Sequence, residues 1–185
     1  MLYTHTVATN TQKVLYYFVK FSDQEFHERE LVRRLGIPAG SANRALNELY
    51  TSGVIKRRQA GKMYFYSFDT DIPIITEIKK MVNYTLLEPL IELLKPLTNR
   101  VILYGSCALG MDTSASDIDL FIVTNDRLGV LERIDNFHFP KGYEDIQIQS
   151  VIRTPVELLE SGESDQVYLE EVERGITLSE RIIDG

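Results

Sequence analysis

The stretch RVILYGSCALGMDTSASDIDLFIV (100–123) restricts what this chain can fold into more than any other segment. VILY is a short apolar run suited to a buried strand, Gly105-Ser106 interrupts it, and DIDLFIV resumes a strand after a polar loop. Alternation along the second strand sends Asp117 and Asp119 to one face and Ile118 and Leu120 to the other. Carboxylates so close raise each other's proton affinity, a conflict that a divalent cation removes. Mg²⁺ is a hard ion commonly held by one or two carboxylates together with substrate phosphates. Gly105 supplies the complement: without a side chain it lets phosphate oxygens approach backbone N–H groups, and the Ser106 hydroxyl adds a donor.

The spacing carries a family resemblance. Gly105-Ser106, the ten residues CALGMDTSAS and then Asp117-Ile118-Asp119 closely resemble the signature of the nucleotidyltransferase superfamily. That superfamily includes DNA polymerase beta, the aminoglycoside-modifying nucleotidyltransferases and the minimal nucleotidyltransferases. Gly110 also falls where small members usually have glycine. The resemblance covers about residues 84–180. It implies an NTP substrate, nucleotide contacts from Gly105 and Ser106, Mg²⁺ on Asp117 and Asp119, and transfer of a nucleoside monophosphate to an acceptor hydroxyl. Two departures stand against it. Leu109 replaces an arginine frequent in small members, so one phosphate-contacting cation is missing. The third carboxylate, expected on a later strand shortly before a Thr-Pro helix start, corresponds in DIQIQSVIRTPVEL (145–158) to Gln149, with Gln147 two residues earlier on the same face. Glutamine is neutral and cannot take a proton, whereas the third carboxylate of a two-metal scheme helps activate the attacking hydroxyl. A shifted register would instead bring Asp145 or Glu144 toward that place.

The N-terminal part has a different character. Residues 1–72 hold 10 Lys and Arg against 7 Asp and Glu, whereas residues 73–185 hold 10 against 20. A basic half can track phosphates directly, whereas an acidic half approaches a nucleotide through metal cations. TQKVLYYFVKF (11–21) has one apolar stripe at helical spacing through Val14, Leu15, Phe18 and Val19, and HERELVRRLG (27–36) is a second helix closed by Gly36. After IPAG comes SANRALNELYTSG (41–53), a third helix. VIKRR (54–58) and KMYFYSF (62–68) then flank a turn short enough for a hairpin.

Three helices and a basic hairpin in that order resemble the winged helix-turn-helix of bacterial and archaeal transcription regulators, over roughly residues 10–70. The resemblance implies that Ser41, Asn43, Arg44 and Asn47 face a DNA groove and that Lys56, Arg57, Arg58 and Lys62 form the wing. Residues 28–62 carry eight basic residues against three glutamates, which favours double-stranded DNA as a partner over simple solvation or protein contacts.

These readings predict an α+β chain: a winged-helix domain at 1–72, a helical connector at 73–83 and a polymerase-beta-like nucleotidyltransferase domain at 84–185. The last would be a mixed sheet with helices packed on one face. Pro89 predicts two helices or a kink within 76–97. The segment 167–181 reads as a final helix and short strand. Cys107 is the only cysteine and His5, His27 and His138 are scattered, which excludes an intrachain disulfide and a cysteine-rich zinc site. Cys107 itself reads as a small buried hydrophobe, and Tyr64, Phe65, Tyr66 and Phe68 as packing. With neither a signal peptide nor a membrane-length apolar run, a cytoplasmic location is expected. Two further assignments stay open: a DNA-binding regulator whose second domain senses nucleotide without efficient turnover, and an antitoxin-like partner of a helical toxin. Two-fold DNA sites are compatible with a homodimer.

Overall fold

The computed structural model describes residues 9–70, 73–160 and 163–181, with side chains 163–166 left aside. Helix α1 (Asn10–Lys20) opens with a capping box in which Thr9 and Gln12 satisfy each other's backbone N–H groups. Strand β1 (Glu25–His27) leads into α2 (Glu28–Leu35), which ends at Gly36 in the left-handed conformation, φ 63°. Helix α3 (Ala39–Thr51) and the hairpin β2 (Ile55–Ala60) and β3 (Met63–Phe68) follow. The three strands form an antiparallel sheet in the order β1-β3-β2. Sequence reading missed β1: three residues are too few for periodicity to register, and only pairing with Tyr66 and its neighbours makes them a strand.

Helix α1 is not the one-striped helix its spacing predicts. Tyr16, Tyr17, Phe18, Val19 and Lys20 are all buried, because α1 packs against α3 on one side and the next helix on the other. That next helix, α4 (Ile75–Leu94), runs unbroken through Pro89. Of the two alternatives, separate helices do not occur. A proline removes one backbone hydrogen bond, at a cost of about 3 kcal/mol in a helix interior, and burial of Val82, Leu86, Leu87, Leu90, Ile91 and Leu94 offsets it. Residues 75–83, within the expected helical connector, are helical and continue without interruption into the rest of α4. One apolar cluster spans both halves, from Val14 to Ile152. Tyr143 lies against Tyr17, with ring centroids 5.6 Å apart, and stacks on Phe21 at 6.0 Å.

The second half contains β4 (Arg100–Tyr104), α5 (Gly105–Leu109), β5 (Ile118–Val123), α6 (Arg127–Asp135), β6 (Ile148–Arg153), α7 (Pro155–Leu159), α8 (Glu163–Glu173) and β7 (Ile176–Glu180). Its sheet has the order β6-β5-β4-β7, with β5 and β6 parallel and the other pairs antiparallel. The fold is α+β, as the element pattern predicts. Helices cover both faces of this sheet, however, and not one. Val101, Leu103, Leu120 and Ile122 face the main core with α4, while Ile102, Phe121 and Val123 pack against Val172, Tyr168 and Leu169 of α8. A strand with apolar residues at consecutive positions is buried on both sides, and β5 reads that way from Leu120 onward. No helix among the described residues is long and apolar enough to cross a membrane.

Candidate functional site

The strands β4 and β5 bring Gly105-Ser106 and the aspartate pair together. Tyr104 is the register partner of Asp119, so Gly105 begins its helical turn directly beside that carboxylate. Glycine is favoured there by its backbone conformation and by the nearness of that carboxylate. Its φ is 67°, and a Cβ would lie 2.7 Å from Asp119 Oδ2. Gly110 closes the same short helix at φ 69°, and a Cβ there would lie 2.1 Å from the backbone oxygen of Thr76. The family pattern of glycines thus has a local cause in this chain: both sit at positive φ, and at Gly110 a side chain would meet backbone.

Asp117 and Asp119 are both half-buried, while Ile118 and Leu120 between and beyond them are buried. Burial, followed by the negative charges of Asp117 and Glu171, pushes the Asp119 carboxyl above the usual aspartate range. Strand β6 runs parallel beside them in a register that pairs Asp119 with Gln149. The Gln149 side-chain amide donates a hydrogen bond to the Asp117 carboxylate. Gln147 lies just before the strand, its carbonyl accepting from the Ile118 N–H at 2.9 Å, and Asp145 is farther back still. Neither Asp145 nor Glu144 reaches the register position of Gln149.

The donor set suits a divalent cation in part. Two hard carboxylate oxygens on one strand face, with Asp119 disfavoured in its charged form by burial and by its neighbours, are eased by a positive charge. The third position offers only a neutral amide. Gly105 also lines a cavity of about 510 Å³ bounded by Ala108, Leu109, Val167, Glu170, Glu171 and Arg174. Glu170 and Glu171 are exposed on α8 and also form this wall. Their period on α8 is indistinguishable in sequence from plain solvation.

Loop residues between the two motifs meet partners that sequence reading did not identify. Lys20 forms a buried ion pair with Asp112 at 2.8 Å, and Asp23 accepts hydrogen bonds from Ser114. Cys107 is fully buried, and burial raises its thiol to about 11.

In the N-terminal half, Asn43, Arg44 and Asn47 are exposed on α3, and Ser41 is half-buried in its first turn. Lys56, Arg57, Arg58 and Lys62 are exposed on the hairpin and its turn. Several of these already have partners. Lys56 pairs with Asp69 at 2.7 Å, Arg58 with Glu25 at 2.6 Å, and Asn43 donates to Glu28 at 2.9 Å. Arg57 lies over the rings of Tyr50 and Tyr64, 4.2 and 4.6 Å from their centroids. Tyr66 and Phe68 are core residues, as expected, whereas Tyr64 is exposed. A cavity of about 570 Å³ separates α3 from the hairpin, with Asn43, Asn47, Arg57, Lys62 and Tyr64 among its walls.

Residues 84–181 match the family model of the nucleotidyltransferase domain. No curated protein matches the sequence. Among solved structures the chain is similar to the transcriptional repressor BigR from Xylella fastidiosa, with 22% identity, a TM-score of 0.34, and coverage of 47% of this chain and 81% of that one. The family match extends over more than half of the chain and contains the Gly105-Ser106 turn, the Asp117–Asp119 pair and Gln149, so this protein belongs to the nucleotidyltransferase domain family.

Proposed function

We propose that the C-terminal half binds a nucleoside triphosphate with Mg²⁺ and transfers its nucleoside monophosphate to an acceptor hydroxyl, and that the N-terminal half is a winged helix that binds duplex DNA. The observation carrying the first part is the β4–β5 register, which sets the unsubstituted Gly105 against Asp119. Backbone N–H groups at Gly105 and Ser106 would receive phosphate oxygens, and Asp117 and Asp119 would hold the metal. The metal would neutralise charge developing on the triphosphate. Transfer forms a bond from the acceptor oxygen to the α-phosphorus, breaks the bond from that phosphorus to the bridging oxygen and releases pyrophosphate, the hydroxyl proton passing to solvent. Gln149 cannot receive the hydroxyl proton, since an amide is neutral and not basic.

That last point favours a second reading, in which the domain senses nucleotide for a DNA-binding regulator and turns over slowly. The Gln149–Asp117 hydrogen bond supports it, because it replaces the charge a catalytic metal would require with a neutral donor. Incubation of the full chain with α-labelled NTPs and Mg²⁺, alone and in cell extract, separates the two. Label incorporated into an acceptor supports transfer. Calorimetric binding of Mg-NTP without incorporation supports sensing, and absence of both counts against the nucleotide site itself.

For the N-terminal half, support comes from the three-helix, three-stranded arrangement and from the exposed basic residues of the hairpin beside α3. Domain limits of 1–72, 73–83 and 84–185 remain a useful functional division, although α4 is continuous across the second limit and residues 71–72 lie outside the described ones. Mobility shifts on random duplex DNA at low salt test this part directly.

A further inference from the structure

The loop joining the two motifs is gripped from the other half of the chain. Lys20 ends α1 with its side chain 2% exposed, and its Nζ pairs with Asp112 Oδ2 at 2.8 Å and donates to Asn83 Oδ1 at 2.9 Å. The Asp112 side chain is fully buried and also accepts from Asn83 Nδ2 at 3.1 Å, while that same amide donates to the Cys107 carbonyl at 3.0 Å. Lys79 donates to the Asp112 carbonyl. Two residues later the Ser114 N–H and hydroxyl both donate to the Asp23 carboxylate, at 3.0 and 2.7 Å. Ser116 then closes a turn on Thr113, its Oγ accepting from the Thr113 N–H at 2.9 Å, and Asp117 follows.

Burying an ion pair is a poor way to gain stability, because desolvation cancels most of the attraction. Its effect is to permit one geometry, since any displacement of Asp112 leaves a charge buried without its partner. Asp112 lies between Gly110 and Asp117, so the constraint acts on the segment that sets the distance between the phosphate turn and the carboxylates. The same segment borders a cavity of about 210 Å³ in which Lys20, Phe21, Ser114 and Ser116 meet Asp117 and Gln147.

We infer that Lys20 and Asp23 are positioning residues of the nucleotide site: the N-terminal half holds loop 110–116, and through it the carboxylate of Asp117. The site is therefore incomplete without the first half of the chain. This inference rests on the nucleotide-binding reading above, and the test keeps the two apart. Lys20→Met strands a buried carboxylate and risks unfolding, so the exposed Asp23 carries the experiment. In the full-length chain, affinity for the Mg²⁺ complexes of ATP, GTP, CTP and UTP is measured by calorimetry for wild type, Asp23→Ala and Asp23→Asn. Amide hydrogen exchange across residues 110–118 is followed in parallel.

Asp23→Ala should weaken binding of the preferred nucleotide by roughly 3- to 30-fold and speed exchange at residues 112–116, with the unfolding midpoint unchanged. Asp23→Asn, which keeps one acceptor oxygen, should recover part of both. Equal affinity in wild type and Asp23→Ala would overturn the inference. If wild type binds none of the four nucleotides, the nucleotide reading fails on its own account. Exchange then decides the positioning: unchanged protection of 112–116 in Asp23→Ala overturns it, and faster exchange there with the α4 core unaltered supports it.

Discussion

The side-chain amide of Gln149 donates to the carboxylate of Asp117 across the parallel β5–β6 pair, while its backbone is in register with Asp119. A glutamine stands where the family resemblance calls for an acid, and it satisfies one of the two carboxylates by hydrogen bonding. Restoring charge at this position should therefore change turnover more than nucleotide affinity. We expect Gln149→Glu to raise Mg²⁺-dependent transfer, with general-base assistance typically worth roughly 10²- to 10⁴-fold and an engineered group recovering the lower part of that range. Labelled-NTP assays read the effect. Robust wild-type turnover left unchanged by Gln149→Ala would show that this position has no part in the reaction.

The aspartate pair should behave oppositely toward stability and ligand. Asp119 is held above the usual aspartate range first by burial and then by the charges of Asp117 and Glu171. Without metal, the charged pair opposes folding at neutral pH, so Asp119→Asn should raise the unfolding midpoint and abolish Mg-NTP binding. Asp117→Asn should likewise lose the nucleotide. Calorimetry and thermal melts on the same preparations check both, and undiminished Mg-NTP affinity in either variant would remove the metal site from these residues.

A single substitution in the buried Lys20–Asp112 pair should be far more damaging than a double one. Lys20→Met leaves the Asp112 carboxylate uncompensated, and breaking a buried pair in this way costs about 3–5 kcal/mol. Lys20→Met combined with Asp112→Leu removes both charges and should recover most of the loss in urea unfolding. Equal destabilisation by single and double variants would mean that packing volume, and not charge, dominates there.

Cys107 should be chemically silent while the protein is folded. Burial raises its thiol to about 11, so at pH 8 it is protonated as well as inaccessible. Iodoacetamide should label it only on unfolding. The folded value lies above the unfolded one, so this group's contribution to stability is intact below the ordinary thiol range and is lost as pH rises toward 11. Rapid alkylation of native protein at pH 8 would contradict the burial.

On the face proposed to bind DNA, existing ion pairs should rank the basic residues. Arg58 and Lys56 are engaged with Glu25 and Asp69, so their replacement should weaken binding less than replacement of Lys62. Lys62→Ala should lower affinity alike for all sequences and reduce the salt slope by about 1. Arg44→Ala on α3 should instead alter sequence preference. Fluorescence anisotropy over a range of salt concentrations distinguishes these patterns, and full-length protein that fails to bind duplex DNA at low salt would refute the assignment.

The parts of this protein that follow from local rules were legible in its sequence. The β4–turn–β5 unit, the common face of Asp117 and Asp119, the Gly36 helix stop and the hairpin all arise from side-chain period and from residues with unusual backbone freedom, which act over a few positions. Gln149 was singled out by the family resemblance, which places a third carboxylate on that strand shortly before a Thr-Pro helix start; its period of two alone marks only a strand. Tertiary structure alone decided the rest. Lys20 and Asp112 are separated by 92 positions, and neither carries a sign that the other will meet it in a buried site. Pro89 leaves open whether one helix or two follow, which packing on α4 decides in favour of one, and the pairing of Arg58 with Glu25 depends on a strand too short to show a pattern. Local periodicity reports which face of an element is apolar, but which element covers that face, and which charges meet there, is fixed only when distant segments close on one another.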